Sequence, residues 1–354
     1  MTGLLDHPLY QEDCDLVVGL DLPWEKLKDI TVLVTGASGM IGSCLVDVLM
    51  RANDVLGLSV TVVALARDVA RLERRFAGHQ GRSDLVIAHS DVSQSIPDSV
   101  PSAQWVIHAA SNTHPVAYAS DPIGTITTNV QGTFNLLEWA CTSEPGRFCF
   151  VSTVEVYGDN QSGEGAFGET DCGYIDCNTL RAGYPEAKRA GEALCQAFMA
   201  QRGIEVVIPR LPRVFGPTVL PTDTKAVSQF IAKAVAGQDI VLKSEGNQYY
   251  SFIYVSDAVS GLLTCLLQGE PGGAYNVAHP SGDIHLRDLA GLAAESVGKQ
   301  VVFDLPSQME QKGFSKAMTA VMDGSKLAGL GWSPRHDVAA GVERTVHILR
   351  DIAR

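Results

Sequence analysis

The sequence predicts an α/β fold, a doubly wound parallel sheet flanked by helices and followed by a smaller C-terminal domain. Short apolar strand patterns alternate with helical patterns through the first part of the chain. Such alternation implies right-handed βαβ crossovers and therefore a parallel sheet. A strand, a turn containing three glycines and a helical segment follow one another soon after residue 30. The later part has shorter elements between Pro- and Gly-rich turns, which indicates a second, smaller unit.

The predicted domains follow from these patterns. Residues 1–30 form an N-terminal extension that we expect to pack on the sheet or on a partner subunit. Residues 31–208 form the sheet domain, and residues 209–354 form the smaller domain. The predicted strands are Thr31–Val34, Val60–Leu65, Leu85–Ala88, Trp105–His108, Phe148–Val151 and Glu205–Pro209.

The glycine turn predicts a dinucleotide-binding site of Rossmann type. After the first strand, glycines occur at Gly36, Gly39 and Gly42. A side chain at the first would obstruct the turn, one at the second would keep the backbone from a pyrophosphate, and one at the third would hold the helix off the strand. The uncapped helix N-terminus offers N–H groups and partial positive charge to phosphates. Two residues separate each pair of glycines, which differs from the commoner Gly-x-Gly-x-x-Gly spacing.

The end of the second strand bears on the choice between NAD and NADP. An acidic residue there would bind the adenosine ribose, and a basic residue would accept a 2′-phosphate. Arg67 is followed at once by Asp68. These two residues leave both cofactors open, and the segment to Arg75 also fits a charged helix face.

A tyrosine and a lysine form the predicted catalytic pair. Tyr184 and Lys188 lie four residues apart, so both side chains leave one face of a helix. An adjacent ammonium lowers the pKa of a phenol, and we expect this pair to move a hydroxyl proton. About thirty residues earlier, an apolar strand ends in Thr153 and Glu155, which places a hydroxyl and a carboxylate at the same sheet edge.

Composition favours a cytoplasmic enzyme. The net charge of -13 argues against a nucleic-acid partner. No apolar stretch is long enough for a membrane span, and the N-terminus lacks a signal-peptide pattern. Most of the eight cysteines lie within apolar patterns and fit small buried residues. Cys172 and Cys177 lie in a polar loop without a second Cys/His pair, so no metal site is expected.

From about Thr31 onward, the chain resembles the extended short-chain dehydrogenase/reductase family, in its branch of nucleotide-sugar epimerases, dehydratases and decarboxylases. The resemblance rests on the glycine turn and on a series of motifs along the chain: Ser90-Asp91-Val92, His108-Ala109-Ala110-Ser111, Asn129-Val130-Gln131-Gly132-Thr133, Tyr184-Pro185-Glu186-Ala187-Lys188, Arg210-Leu211-Pro212-Arg213-Val214-Phe215-Gly216-Pro217 and Tyr254-Val255-Ser256-Asp257-Ala258.

The resemblance implies a tightly held NAD, with NADP still possible because of Arg67. It also implies that a segment near residues 251–268 returns to the first domain, and that residues 209–354 form a substrate-binding cap. Helices near Pro122–Cys141 and Pro185–Gln201 would pair across a two-fold axis in a homodimer. The implied cofactor-binding residues are Gly36, Ser38, Gly39, Met40, Ile41, Gly42, Arg67, Asp91, Val92, Ala109, Ala110, Ser111, Asn129, Tyr184, Lys188 and Pro209.

The family chemistry implied for this chain begins with oxidation of a nucleotide sugar at C4 to a 4-keto sugar. Tyr184 would remove the hydroxyl proton, Thr153 would bind the same oxygen, and Lys188 would hold the cofactor ribose. Glu155 matches the glutamate of dehydratases and glucuronate decarboxylases. Val154 stands where 4,6-dehydratases have an acidic residue, which counts against a standard dehydratase.

Three more residues are expected to contact the substrate. Tyr250 stands where relatives usually have an arginine that binds the diphosphate or serves the carboxylate chemistry. Arg213 stands where many have an asparagine facing the diphosphate, and its guanidinium is expected to restore that contact. His114 is expected above the nicotinamide, or at the surface.

These observations favour an NAD-dependent nucleotide-sugar epimerase, which would serve carbohydrate biosynthesis. A UDP-glucuronate decarboxylase-like enzyme is the alternative, supported by Thr153 and Glu155 and weakened by Tyr250. A non-catalytic dinucleotide-binding regulator is the alternative of another class, and it would not need Thr153, Tyr184 and Lys188.

Overall fold

A computed structural model describes residues 3–111, 118, 120–142, 146–160, 165–304 and 318–353. Its first part contains seven strands that alternate with helices. The strands are β1 (Thr31–Thr35), β2 (Thr61–Ala66), β3 (Leu85–His89), β4 (Trp105–His108), β5 (Arg147–Phe150), β6 (Ser152–Thr153) and β7 (Glu205–Leu211). The helices are α1 (Pro8–Val18), α2 (Met40–Leu56), α3 (Val69–Arg75), α4 (Pro122–Ala140) and α5 (Gly183–Arg202).

The second part contains shorter elements. The strands are β8 (Arg213–Phe215), β9 (Ile240–Leu242), β10 (Tyr249–Tyr254), β11 (Ala274–Asn276), β12 (Asp283–His285), β13 (Val301–Phe303) and β14 (Thr319–Ala320). The helices are α6 (Ala226–Val235), α7 (Val255–Gln268), α8 (Leu286–Glu295), α9 (Ser325–Ala328) and α10 (Val338–Ile352).

The main sheet is parallel and has the order β11-β7-β5-β4-β1-β2-β3, with β6 beside β7. The strand order reverses between β1 and β4, whose residues Thr35 and His108 are in register. In an open sheet of this type, ligands bind outside the carboxyl ends of the strands at the reversal. Buried apolar clusters on the two faces of the sheet hold the flanking helices. The predicted α/β class with a doubly wound parallel sheet is therefore confirmed.

All six strands predicted from the sequence are present, with ends shifted by two residues or fewer. Strand β7 continues to Leu211, so the predicted boundary after residue 208 falls inside a strand. Helix α7 and strand β11 then return to the sheet, and β11 pairs with β7. The returning segment therefore extends to Asn276, beyond the predicted 251–268, because the three-residue strand β11 completes the sheet edge.

The N-terminal extension packs on both parts of the molecule through α1. The buried Tyr10 hydroxyl donates to Asp47 Oδ2 of α2 at 2.5 Å. One turn later, buried Asp13 accepts a hydrogen bond from the Tyr254 hydroxyl at 2.5 Å and pairs with Arg344 of α10 at 2.7 Å. Helix α1 therefore connects helix α2 of the first part to strand β10 and the last helix, α10, of the second part.

His7, His347 and Asp351 bring their ligand atoms together where the two ends of the chain meet. His7 Nδ1 accepts the Leu9 N–H at 3.3 Å, which leaves the proton of a neutral ring on Nε2. That nitrogen faces Asp351 Oδ2 at 3.5 Å. A protonated nitrogen is not a metal ligand, so this geometry favours a polar contact between the chain ends.

Within the described residues, no helix combines the length and the apolar character that crossing a membrane would require.

Candidate active site

The glycine turn at the end of β1 has the shape that a pyrophosphate needs. Gly36 has φ +66°, and a Cβ there would lie 2.7 Å from the carbonyl oxygen of Ala109. A Cβ on Gly42 would lie 2.9 Å from Ala37 Cα, so the helix and turn approach too closely for any side chain. Helix α2 begins after Gly39 without a side-chain cap, which leaves its first N–H groups available to an anion. The turn therefore fits a dinucleotide, with Ser38, Met40 and Ile41 partly exposed around it.

The end of β4 lies beside this turn. Ala110 donates its N–H to Thr35 Oγ1 at 3.2 Å, and the same hydroxyl bonds His108 Nδ1 at 2.8 Å. These bonds fix the backbone at Ala109, Ala110 and Ser111, which remains partly exposed at the switch point. The structure thus brings the predicted ribose and pyrophosphate segment next to the glycine turn.

The predicted adenine-side residues lie at the ends of β2 and β3. Asp91 Oδ1 accepts hydrogen bonds from the Ser93 N–H and hydroxyl at 2.9 and 2.8 Å. Burial would raise the pKa of Asp91, but these bonds and the charge of Arg67 outweigh it and lower that pKa. Asp68 caps α3 by accepting the Arg71 N–H at 3.0 Å. Val92 is buried beneath helix α4.

Two other predicted cofactor residues lie deeper. Asn129 is fully buried, and its Nδ2 donates to the Thr125 carbonyl at 2.8 Å, while its Oδ1 has no hydrogen-bond partner in the structure. Pro209 is buried inside β7 opposite Tyr275, two residues before the strand ends at Leu211. Of the predicted cofactor residues, Pro209 is the least well placed, because the ligand edge of the sheet lies at the strand end.

The predicted catalytic residues come together at the end of β6 and the start of α5. Tyr184 and Lys188 occupy the first turns of α5, and the Thr153 side chain hydrogen-bonds the Tyr184 phenol. Lys188 Nζ donates to the Val151 carbonyl at 2.8 Å and lies 4.6 Å from the centre of the Phe150 ring. The structure therefore brings Thr153, Tyr184 and Lys188 together at the ligand edge of the sheet.

Both titratable members of the set have shifted pKa values. Burial lowers the pKa of Lys188 to about 8, with Glu192 acting in the opposite direction. Burial also raises the pKa of Tyr184, more than the Thr153 hydrogen bond lowers it. The expected lowering of the phenol pKa by Lys188 is therefore not found, because burial dominates and the ammonium is directed at Val151 and Phe150.

Glu155 is held by an arginine that the sequence analysis did not identify. Arg181 Nη2 lies 2.7 Å from Glu155 Oε2, and the two side chains are 49% and 29% exposed. The Arg181 guanidinium lies 5.0 Å from the ring of Tyr118, which stacks on Tyr184 with ring centres 5.0 Å apart. In the sequence, the only sign of a role for Arg181 is its position three residues before Tyr184. This spacing does not reveal that Glu155 is the partner of Arg181.

Arg213 and Tyr250 pack directly against each other. Arg213 lies on β8 and Tyr250 on the neighbouring strand β10. The Arg213 guanidinium lies 3.4 Å from the centre of the Tyr250 ring, which is a close cation–π contact. Arg213 Nη1 is buried and has no hydrogen-bond partner in the part of the chain that the structure describes. His114, the remaining predicted substrate residue, lies outside the described residues.

A buried polar network supports the catalytic strand end from behind. Arg210 pairs with Glu192 at 2.6 Å, and the Ser152 hydroxyl donates to the same carboxylate at 2.5 Å. Arg210 also donates to the Tyr157 hydroxyl at 3.0 Å. These bonds lock strands β6 and β7 to helix α5, and so fix Thr153 relative to Tyr184.

Comparison with known proteins places this geometry in context. The model of the NAD dependent epimerase/dehydratase family matches residues 32–278. UDP-glucuronic acid decarboxylase 2 of Arabidopsis thaliana is 30% identical over 325 residues, covering 92% of this chain and 69% of that protein. UDP-glucuronic acid decarboxylase 6 of the same plant is 32% identical over 318 residues, covering 89% of this chain and 87% of that protein.

Solved structures agree on the fold. DesIV, a dTDP-glucose 4,6-dehydratase from Streptomyces venezuelae solved with NAD bound, is 25% identical and superposes with a TM-score of 0.78 over 91% of this chain and 97% of its own. UDP-glucuronic acid 4-epimerase from Bacillus cereus, solved with UDP-glucuronic acid and NAD, is 22% identical. It gives a TM-score of 0.77 over 91% of this chain and 100% of its own.

Proposed function

The chain belongs to the NAD dependent epimerase/dehydratase family, and we propose that it decarboxylates a nucleotide-linked hexuronate after transient oxidation at C4. The Glu155–Arg181 pair beside Tyr184 carries this proposal. It also agrees with the curated relatives described above, which are UDP-glucuronic acid decarboxylases. Decarboxylation, the alternative in the sequence analysis, is thereby preferred to epimerisation.

Thr153, Tyr184 and Lys188 are proposed to perform the oxidation and its reversal. Tyr184 accepts the C4 hydroxyl proton, and Thr153 donates a hydrogen bond to the same oxygen. Lys188, whose Nζ is held by the Val151 carbonyl, is proposed to bind the ribose of the cofactor. NAD held at the glycine turn would supply the acceptor for the C4 hydride and the donor that returns it.

The 4-keto group then permits loss of the neighbouring carboxylate. The bond from C5 to the carboxylate breaks, its electron pair enters the 4-keto system as an enolate, and CO2 leaves. A proton must then reach C5, and Glu155 is the titratable group proposed to direct it. A plain C4 epimerisation needs no acid at C5, whereas Glu155 carries an electrostatic cost because its charge raises the pKa of Tyr184.

Arg181 makes this arrangement compatible with an anionic substrate. Its pair with Glu155 is neutral overall, so the carboxylate of a hexuronate meets no uncompensated negative charge there. Arg181 also opposes the effect of Glu155 on the pKa of Tyr184. We therefore assign Arg181 as the residue that orients Glu155.

Epimerisation at C4 is the second candidate. Tyr250 favours epimerisation, because the family's decarboxylases usually have an arginine at this position. Thr153, Tyr184 and Lys188 suffice for chemistry at C4. The Bacillus cereus neighbour, a UDP-glucuronic acid 4-epimerase, has the same fold.

Mass spectrometry separates the candidates. The purified protein is incubated with UDP-, dTDP-, CDP- and GDP-sugars, including UDP-glucuronate, and its co-purified dinucleotide is identified in the same run. Loss of CO2 from a hexuronate supports decarboxylation, and an isomer of unchanged mass supports epimerisation instead. Tyr184→Phe should abolish either conversion while NAD remains bound. A protein that leaves every sugar nucleotide unchanged would be the non-catalytic regulator.

We further propose a cytoplasmic homodimer. Helix α4 carries exposed Ile123, Ile126 and Phe134, and α5 packs beside it. All eight cysteines are unpaired, which suits a reducing compartment. Light scattering should give twice the chain mass, and Ile123→Asp together with Ile126→Asp should give the monomer mass. A wild-type monomer would contradict this proposal.

A further inference from the structure

Arg213 is a cation without an anionic partner among the described residues. Among the described residues, no carboxylate lies within ion-pair distance of its guanidinium, and the buried Nη1 lacks an acceptor. An unsatisfied buried donor is costly, and more so when it is charged. Arg181, which also contributes to the electrostatic environment of Arg213, is already paired with Glu155. The site therefore contains one neutralised arginine and one that a ligand must neutralise.

Arg213 shares two charged neighbours with Tyr184. Glu155 and Arg181 influence the electrostatic environment of both Arg213 and Tyr184. Tyr184 works on the C4 hydroxyl. In a nucleotide sugar the diphosphate is attached at C1, across the ring from C4, whereas a hexuronate carries its carboxylate on C5, next to C4. Sharing Glu155 and Arg181 as charged neighbours with Tyr184 favours a place for Arg213 on the C5 side of the sugar.

Tyr250 fixes the orientation of this cation. The face of the guanidinium is covered by the Tyr250 ring at 3.4 Å, so its N–H groups can donate only in the guanidinium plane. Arg213 lies opposite Phe252 in the register of β8 and β10, and Tyr250 lies two residues earlier on the same face of β10. The strand pair thus presents a planar, edge-on donor, which matches a carboxylate or a phosphate, and the charged neighbours shared with Tyr184 favour the carboxylate.

We propose that Arg213, oriented by Tyr250, binds the C5 carboxylate of a hexuronate and so selects acidic over neutral nucleotide sugars. This inference rests on the proposed function and differs from the diphosphate contact expected from the sequence. It makes Arg213 the specificity-determining residue and assigns Tyr250 as its support.

Calorimetric titration of the full-length, NAD-loaded protein tests the assignment. The Tyr184→Phe background prevents turnover, and UDP-glucuronate, UDP-glucose and UDP are the probes. Adding Arg213→Met should weaken UDP-glucuronate binding about 10- to 100-fold, as expected for loss of a charged hydrogen-bonded pair. Binding of UDP-glucose and UDP should change by less than about threefold. Arg202→Met, on the exposed Arg202 of α5, is the matched control and should change none of the three.

The outcomes are distinct. Selective loss of UDP-glucuronate affinity supports the assignment. Equal loss for all three probes would place Arg213 on the diphosphate and overturn it, and unchanged affinity would overturn it as well. If the parent protein binds none of the three probes, the proposed nucleotide-sugar function fails, and this assignment falls with it. Melting temperatures and retained NAD of each variant show that a loss of affinity is not a loss of fold.

Discussion

At the scale of single residues, spacing predicted the reacting groups better than their charge states. Tyr184 and Lys188 were found because four residues make one helical turn, and the structure places them together with Thr153. The raised pKa of Tyr184 was not predictable, because burial depends on neighbours such as Tyr118 that the sequence does not reveal. Arg181 was missed for the same reason, since its partner Glu155 is 26 residues away.

The buried ammonium of Lys188 should give the cofactor-free protein a distinctive pH dependence. Burial lowers the pKa of Lys188 from 10.5 to about 8, so between these pH values the unfolded chain binds more protons than the folded one. Stability should therefore rise with pH across this window, by up to about 3 kcal/mol. The stability of the Lys188→Met variant should not show this rise.

Urea unfolding of the wild type and of Lys188→Met at pH 7, 8.5 and 10 measures this effect. The stability difference should move in favour of the wild type as the pH increases. Lys299→Met, at an exposed lysine, is the control and should follow the wild type. If the free energies of unfolding of the wild type and of Lys188→Met changed equally with pH, burial of the Lys188 ammonium would carry no such cost.

At the scale of elements, apolar runs of four to six residues identified the six strands. Such runs are typical of strands in a parallel sheet that lies between two layers of helices. Strands β6, β8, β9 and β10 to β14 were not assigned from the sequence. All of them except the six-residue β10 have only two or three residues, which carry no periodicity. Tertiary pairing creates them, as when β11 joins the edge of β7. The glycine turn was recognised despite its unusual spacing, and its geometry explains why Gly36 and Gly42 are required.

Two glycines that flank helix α2 offer a matched test of that turn. Gly36 before the helix and Gly57 after it both have φ +66°, but only Gly36 has backbone atoms where a Cβ would go. Gly57→Ala should cost about 1 kcal/mol of stability from backbone conformation alone and should retain NAD. Gly36→Ala should cost more and lose NAD, because the turn must shift away from Ala109.

Thermal unfolding and the fraction of co-purified dinucleotide report the two effects separately. Equal behaviour of the two variants would mean that close backbone approach at Gly36 does not shape the cofactor site.

At the scale of the whole molecule, helix α1 joins parts that the sequence treats as separate domains. Its role was not predictable beyond packing, because Asp13 meets partners that lie more than 240 residues away. Burial raises the pKa of Asp13, while the Tyr254 hydrogen bond and the Arg344 charge lower it. These two partners therefore offset part of the cost of burying the Asp13 carboxylate.

Tyr254→Phe should remove one of these partners and destabilise the protein by about 1–3 kcal/mol, since a buried carboxylate loses a hydrogen bond. Tyr249→Phe on the same strand is the control, because Tyr249 is only partly buried, and it should cost less than about 0.5 kcal/mol. Chemical denaturation of both variants gives the comparison. Similar values for the two would contradict a linking role for the Asp13 contact.

The joining of α1 to α10 also constrains the order of events during synthesis. Asp13 and Arg344 are 331 residues apart, so the first helix leaves the ribosome long before its final ion-pair partner is translated. The glycine turn and its neighbouring strands can form early, whereas the amino-terminal helix cannot dock completely until the last helix has emerged. Nascent chains arrested before residue 344 should therefore expose this helix to proteases and chaperones even when their nucleotide site is already built.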